Sequence, residues 1–300
     1  MKKLRENDHL VGYVFSAPFI LGFLVFTLYP ILSSLYYSFT DYTMLGAPNW
    51  VGLDNYQKML FHDDKYAKSV SVTLTYVLSS VPLRLAFALL VAMILNRAVT
   101  GIGLYRSAYY LPSLIGGSVA VSIMWSQVFG SDGLVNSVLR TFGVDASTNY
   151  VGSPGYAIWT LIALSVWQFG SSMLIFLAGL KSIPASYYEA ASVDGANGLH
   201  RFFKITLPLL SPIILFNLIM QTISAFMTFT PAYIISRGDG RPVDETLVYS
   251  LYLYRKAFEF SSMGFASAMA WIMLIVIGLL TLLIFQSSKY WVHYETKGEG

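Results

Sequence analysis

Six long apolar stretches constrain this chain more than any other feature, because each is long enough to cross a lipid bilayer as a helix. About 20 residues of α-helix span the hydrocarbon core of a membrane. The predicted spans are about 10–37, 70–95, 107–129, 156–180, 207–230 and 264–288. The sequence therefore predicts an all-α polytopic membrane protein with six transmembrane helices, folded as a single membrane domain over residues 1–300.

The composition excludes several classes of function. Of the 300 residues 55% are hydrophobic and only 12% are charged, whereas soluble proteins carry about 25% charged residues. The chain has no cysteine, so it offers no disulfide, thiolate nucleophile or cysteine-ligated metal. Its four histidines lie in or beside predicted loops. We therefore expect no metal site, no nucleic-acid partner and no soluble catalytic domain.

The distribution of basic residues predicts the orientation of the chain. Six spans place both termini on one side, where the segments are denser in Lys and Arg than the outer loops. These basic residues are Lys2, Lys3, Arg5, Arg97, Arg106, Lys181, Arg201, Lys204, Lys289 and Lys297. Because cytoplasmic segments carry the excess of positive charge, we expect cytoplasmic termini and a cytoplasmic loop at 181–206.

Residue types and motifs that do not occur in the predicted spans or loops limit the chemistry of this chain. No predicted span contains Asp or Glu, although ion-coupled carriers usually hold the coupling ion with an ionisable group in the membrane. The sequence has no G-x-x-x-x-G-K-[ST] phosphate loop, so this chain is not expected to hydrolyse ATP. No acid, histidine or cysteine lies at membrane depth, so we expect no enzyme. If such a chain moves a solute across the membrane, either a partner protein supplies the energy or the movement is passive.

The loop 181–206 is a polar interlude with the signals of a short helix. Ser186 and Glu189 have the spacing of a capping box, which favours a helix start, and Gly195 suits the left-handed end of a helix. A helix of about two turns is unstable alone in water, so we expect it to dock on another protein. The predicted docking face comprises Tyr187, Ala190, Ala191 and Asp194. Residues 199–205 alternate apolar and basic side chains, which predicts a second amphipathic piece at the membrane surface.

Four segments in and around this loop carry a family resemblance. They are Ile183-Pro184, Glu189-Ala190-Ala191, Asp194-Gly195-Ala196 and Ile205 through Pro208. Together they resemble the EAA loop of bacterial ATP-binding-cassette (ABC) importer permeases. Val51 through Tyr56 is also similar to a GLxNY stretch that follows the first helix in the sugar permeases of this class. The chain is identified by this resemblance as a member of the carbohydrate-uptake branch.

The resemblance implies a type I importer-like permease fold in the bacterial cell (inner) membrane. It also implies three kinds of partner: a second homologous permease subunit, two copies of an ATP-binding subunit, and an extracytoplasmic substrate-binding protein. ATP is then bound by the partner subunits, and this chain has no cofactor of its own. The residues that the resemblance places against the ATPase are Tyr187, Glu189, Ala190, Ala191, Asp194 and Gly195.

Polar residues in the fourth and fifth spans are candidates for the substrate path. Asn217, Gln221 and Ser224 recur at helical spacing on one side of the fifth span. In the fourth span Trp167 and Gln168 set an aromatic ring beside an amide, which suits a sugar. Packing between helices is the alternative for the fifth-span residues, and an interfacial aromatic belt is the alternative for the fourth-span pair. Arg84, about mid-span, either lines a cavity and binds an anionic substrate, pairs with backbone carbonyls, or snorkels to the membrane surface.

The predicted function is that of a permease subunit in an ATP-driven importer. It would form half of the translocation path for a sugar or oligosaccharide and couple to a separate ATPase through the loop 181–206. The alternative left open is an ion-coupled secondary carrier or a passive channel for small polar solutes. The sequence does not name the solute, and a polyol phosphate also remains compatible with it.

Overall fold

The computed structural model describes residues 8–96, 101–144 and 146–293, with side chains from residue 12 onward. Five basic residues of the orientation argument lie outside the described residues: Lys2, Lys3, Arg5, Arg97 and Lys297. The described residues are largely helical, and the only β-structure among them is two isolated bridges, Thr40–Trp50 and Thr43–Ser262. The predicted all-α class is confirmed.

The helices follow one another with few long connections. In chain order they are α1 (Asp8–Phe23), α2 (Tyr29–Ser38), α3 (Asp54–Phe61), α4 (Asp64–Leu95), α5 (Ile102–Ile115), α6 (Val119–Val128), α7 (Leu134–Thr141), α8 (Ala157–Trp167), α9 (Gly170–Ser182), α10 (Ala185–Val193), α11 (Gly198–Arg201), α12 (Leu207–Phe226), α13 (Thr230–Ile235), α14 (Tyr249–Tyr254) and α15 (Met263–Trp291). Three π-helical turns extend these helices without a break, at Leu24–Leu28, Phe202–Thr206 and Arg255–Glu259. The first two therefore lie within longer continuous helical runs.

By length and composition, four to six helical runs of the described residues could cross a membrane. Four continuous runs are long and apolar enough to cross a membrane: Gly12–Ser38, Asp64–Leu95, Gly198–Ile235 and Met263–Trp291. Two further spans are bent pairs, since α5 meets α6 at 100° and α8 meets α9 at 42°. When each pair counts as one span the total is six, as the apolar pattern predicts.

The sharp bend between α5 and α6 lies inside the stretch 107–129, which the apolar pattern presents as one span. Gly116 and Gly117 are weak helix formers at this point. Ser118 Oγ then accepts a hydrogen bond from the Val121 N–H at 3.3 Å, so α6 begins with its own N-cap. The apolar pattern does not reveal the bend because the residues on both sides are equally apolar.

The chain forms two compact units. One comprises the residues up to Asp63 together with Leu253–Ile275, and the other comprises Asp64–Tyr252 together with the residues from Val276 onward. The second unit contains α4 through α13 and therefore holds the polar loop and all candidate residues of the substrate path.

In the first unit, two residues of the GLxNY-like stretch fasten α3 to the end of α2. Asn55 Nδ2 donates to the carbonyls of Ser38 and Thr40, at 2.9 and 2.8 Å. The hydroxyl of Tyr56 donates to Ser38 Oγ at 2.8 Å. Asn55 is buried, so its bonds satisfy carbonyls at the helix end that would otherwise lack partners.

In the second unit, α4 packs against α8, α9 and α12. Its buried residues recur every three or four positions along one side, as expected for a helix with one inward face. They are Tyr66, Ser69, Val72, Thr73, Tyr76, Val77, Ser80, Val81, Leu85, Ala88, Val91, Ala92 and Leu95. The helices α9 and α12 approach closely at Gly179, where the side chains of Leu210 and Ile213 fill the space that a Cβ would need.

Candidate coupling helix and translocation cavity

The short helix α10 (Ala185–Val193), here named the coupling helix, starts two residues earlier than a capping box at Ser186 would require. Pro184 is its N-cap residue, with φ −60° and ψ 135°, and no side chain caps the helix. The Pro184 carbonyl accepts from the Tyr187 N–H at 3.3 Å. The predicted Ser186–Glu189 capping box is therefore wrong, because the extended conformation of Pro184 already starts the helix and places Ser186 within its first turn.

The other end of the coupling helix has the predicted left-handed glycine. Gly195 has φ +75°. Its N–H donates to the Ser192 carbonyl at 3.1 Å, and the Ala196 N–H donates to the Ala191 carbonyl at 2.9 Å. These two bonds form a Schellman motif, which requires a left-handed residue at this position. The predicted conformation of Gly195 is confirmed.

The coupling helix is open to its surroundings on most of its circumference, since none of its residues is buried. Tyr188 and Ala191 are half-buried and mark the side that faces the rest of the chain. Of the predicted coupling residues, Tyr187, Glu189, Ala190, Asp194 and Gly195 are exposed. Val193, which the sequence reasoning missed, is 89% exposed. An exposed valine at the end of a helix full of small residues is the signal that could have identified it.

Two side chains tie the coupling helix to the fifth span. The hydroxyl of Tyr188 lies 3.0 Å from Thr206 Oγ1, and Thr206 is buried. Arg201 Nε donates to the Ala196 carbonyl at 2.9 Å, which holds the connection after the glycine. A displacement of the coupling helix would therefore act directly on the start of the fifth span.

The predicted second amphipathic piece at 199–205 is not a separate helix. Asn197 Oδ1 accepts from the His200 N–H at 2.8 Å and starts a helix that continues through a π-helical turn into α12. No residue between Gly198 and Leu207 breaks it, so the amphipathic segment forms the first turns of the fifth span. Beside its start lies a concavity of about 460 Å³, lined in part by Asp194, His200 and Lys204.

A cavity of about 360 Å³ lies at the other end of α12, where α4, α8 and the turn after α12 meet. We call it the translocation cavity after the role that is proposed for it below. Its polar lining comes from Arg84, Ser165, Gln168, Ser224, Thr228 and Thr230. Hydroxyl and amide groups of this kind form hydrogen bonds with polar solutes.

The structure separates the predicted substrate-path residues. Gln168 and Ser224 line the translocation cavity, but Trp167 lines a separate apolar groove and its ring lies 5.7 Å from that of Trp125. Neighbouring residues of a helix point about 100° apart, so Trp167 and Gln168 face different surroundings. Asn217 and Gln221 are absent from the lining of the cavity.

The amide of Asn217 is fully buried and bonds within its own helix. Asn217 Nδ2 donates to the Ile213 carbonyl at 3.2 Å. Its Oδ1 and the Oε1 of Gln221 are buried without a hydrogen-bond partner in the described part of the chain. Buried carbonyl oxygens of this kind are costly when unpaired. The role of these two amides in the substrate path stays a prediction.

Arg84 reaches the break in the fourth span. Its Nη2 donates to the Gln168 carbonyl, which also accepts from Ser113 Oγ at 2.9 Å. The bend between α8 and α9 leaves this carbonyl available to side chains from α4 and α5. Two of the three alternatives considered for Arg84, a cavity-lining position and a backbone carbonyl partner, are therefore realised together.

Comparisons with known proteins match most or all of this chain. A family model described as "Binding-protein-dependent transport system inner membrane component" matches residues 60–290. The chain is 62% identical to the probable ABC transporter permease protein YesP of Bacillus subtilis (strain 168), over 100% of this chain and 97% of that protein. It is 33% identical to the lactose transport system permease protein LacF of Rhizobium radiobacter, over 95% of this chain and 96% of that protein.

A solved structure has the same fold. It is a bacterial ABC transporter involved in the import of the acidic polysaccharide alginate, with a TM-score of 0.76, 23% identity, and coverage of 96% of this chain and 97% of that chain. The likeness confirms the type I importer-like permease fold. Taken with the family match, the helical spans and the exposed coupling helix, it leads to one assignment. The chain belongs to the family of binding-protein-dependent transport system inner membrane components and is a permease subunit of an ABC importer, not an enzyme.

Proposed function

We propose that this permease forms one half of the translocation path for a sugar or oligosaccharide, and that its coupling helix docks on a separate ATP-binding subunit. One observation carries the proposal. A continuous helix begins at Gly198, beside the coupling helix, and reaches Phe226, beside the translocation cavity. At 1.5 Å per residue this helix is about 40 Å long. Movement imposed at the coupling helix is thereby passed to the lining of the cavity.

The substrate class is supported by the cavity and by the names of relatives. The lining offers hydroxyl and amide groups, which match the hydroxyls of a carbohydrate. Relatives at 30% identity or above include permeases for lactose, arabinooligosaccharides and sn-glycerol-3-phosphate. Two of these three solutes are saccharides, and all three carry several hydroxyl groups.

The proposed assembly contains a second homologous permease subunit, two copies of an ATP-binding subunit and an extracytoplasmic substrate-binding protein. A structure related in fold holds a periplasmic protein bound to alginate pentasaccharide, which supports the last of these partners. We place the assembly in the bacterial inner membrane with both termini and the coupling helix in the cytoplasm. ATP then binds to the partner subunits on the same side as the coupling helix.

Reconstitution tests the proposed function. The chain is co-expressed with a second permease subunit and an ATP-binding subunit, purified, and placed in vesicles that contain ATP or a non-hydrolysable ATP analogue. We expect uptake of a labelled oligosaccharide only with ATP and with the binding protein outside. Uptake that instead follows an imposed proton or sodium gradient without ATP would contradict the proposal and favour an ion-coupled carrier.

A further inference from the structure

The translocation cavity contains a cation, Arg84, that forms no ion pair with a carboxylate in the described part of the chain. Arg84 lies about the middle of α4 and lines the cavity. Among the described residues that line the cavity there is no Asp or Glu. The Nε of Arg84 is buried without a hydrogen-bond partner in the described part of the chain. A charge at membrane depth is costly and usually indicates a functional site.

The hydrogen bond from Arg84 to the Gln168 carbonyl does not explain why a charged residue occupies this position. The Gln168 carbonyl also accepts from Ser113 Oγ, whose oxygen in turn accepts from the Ser171 N–H at 3.1 Å. The break between α8 and α9 is therefore already stabilised by a neutral side chain. A carbonyl also carries only a partial charge, so the guanidinium keeps most of its positive charge toward the cavity.

The start of a helix lies close to the same cavity along the chain. Gly117, at the bend of the third span, contributes to the lining. Two residues later the ten-residue helix α6 begins at Val119. The N-terminus of a helix carries a partial positive charge and favours anions. In transporters, helices that are broken within the membrane present such N-termini to anionic groups of the substrate.

We infer that the translocation cavity takes a solute that carries an anionic group, a carboxylate or a phosphate on a sugar or polyol, with Arg84 as its ion-pair partner. This inference rests on the proposed function, since it assumes that the cavity is part of the path. It narrows the substrate class from carbohydrates in general to acidic ones. Arg84 then determines specificity, and the neutral hydroxyl and amide groups around it bind the rest of the solute.

Ligand protection of a single cysteine tests the inference, because the chain has no native cysteine. Met227 lines the cavity and is 60% exposed, so Met227→Cys provides an accessible reporter. The complete importer carrying this change is treated with an uncharged methanethiosulfonate reagent. The rate of modification is measured with digalacturonate or glycerol 3-phosphate, and with their neutral counterparts galactobiose and glycerol. Protection by digalacturonate would identify a carboxylate as the anionic group, and protection by glycerol 3-phosphate would identify a phosphate.

We expect at least one of the anions, but neither neutral solute, to slow modification. In Arg84→Met the anion concentration needed for protection should rise by roughly ten- to a hundredfold, the effect of one charge-assisted hydrogen bond. Arg84→Lys should retain most of the protection. Ser113→Ala removes the other hydrogen bond to the Gln168 carbonyl without a change in charge. In this variant the anion concentration needed for protection should equal that of the parent protein.

Several results would overturn the inference: no protection by either anion, equal protection by an anion and its neutral counterpart, or unchanged protection in Arg84→Met. Even if Arg84→Met fails to assemble, the comparison of each anion with its neutral counterpart in the parent protein tests whether the cavity prefers anions. Failure of the inference is distinct from failure of the proposed function. If ATP drives the uptake of neutral oligosaccharides and Arg84→Met does not change this uptake, the importer role stands and the inference fails. If anions protect the cysteine but no ATP-driven uptake occurs, the anion site stands and the importer role fails.

Discussion

Replacement of Gly195 by valine is expected to abolish ATP-driven transport while the chain still inserts into the membrane. The residue has φ +75°, and a left-handed conformation costs an L-residue with a Cβ about 1–2 kcal/mol. The coupling helix has only nine residues, and helices of that length are marginal alone. Loss of its Schellman end should therefore displace or unfold it. We expect transport to fall to background, measured as uptake in reconstituted vesicles, with ATP hydrolysis no longer stimulated by the loaded binding protein.

Gly198 provides the matched control for this change. A Cβ at either glycine would meet no other atom within 4 Å, and only Gly195 has a positive φ. Gly198→Ala, at the first residue of α11, should thus be neutral or slightly stabilising. Near-normal transport in Gly195→Val would mean that the left-handed end of the coupling helix is not needed for coupling.

Replacement of Ala190 by tryptophan is expected to prevent docking of the ATP-binding subunit. Ala190 is exposed on the coupling helix, and two positions along a helix place it on nearly the opposite side from the half-buried Tyr188. A small residue there lets another protein surface approach closely, and an indole ring would hold the two surfaces apart. We expect at least a tenfold weaker association, since filling a close-packed contact costs about 1–3 kcal/mol. Co-purification of the tagged ATP-binding subunit with the permease measures the effect.

Two variants separate docking from general damage. Ala190→Ser keeps the side chain small and should retain the ATP-binding subunit. Ala67→Trp adds the same ring at an exposed position on α4, outside the coupling helix, and should also retain it. Normal co-purification with Ala190→Trp would show that this side of the coupling helix does not face the partner.

Features that depend on neighbouring residues were predictable from the sequence. The length of each apolar run predicts a membrane span, and Gly195 predicts the end of the coupling helix because its conformational preference is local. The start of that helix was mispredicted at Ser186 because two local signals competed. Pro184 fixes its own backbone and ends the preceding segment, which the capping-box spacing does not take into account.

Features that depend on tertiary contact were not predictable in the same way. Arg84 and Gln168 are 84 positions apart, and their hydrogen bond exists only because α8 and α9 bend at Gln168. The polar pattern of α12 correctly shows that Asn217 and Ser224 lie on related sides of one helix. It does not show that only Ser224 reaches the translocation cavity, because the position of the cavity depends on the break after Phe226.

The central claim is that the coupling helix contacts a separate ATP-binding subunit, and cross-linking from Val193 tests it most directly. Val193 is 89% exposed on the coupling helix. Val193→Cys, labelled with a photoreactive maleimide in the assembled importer, is illuminated and the products are identified by mass spectrometry. The account predicts a cross-link to the ATP-binding subunit from residue 193 and none from a control Ala67→Cys. A transport-competent complex that gives no such cross-link from residue 193, or gives it equally from residue 67, would contradict the account.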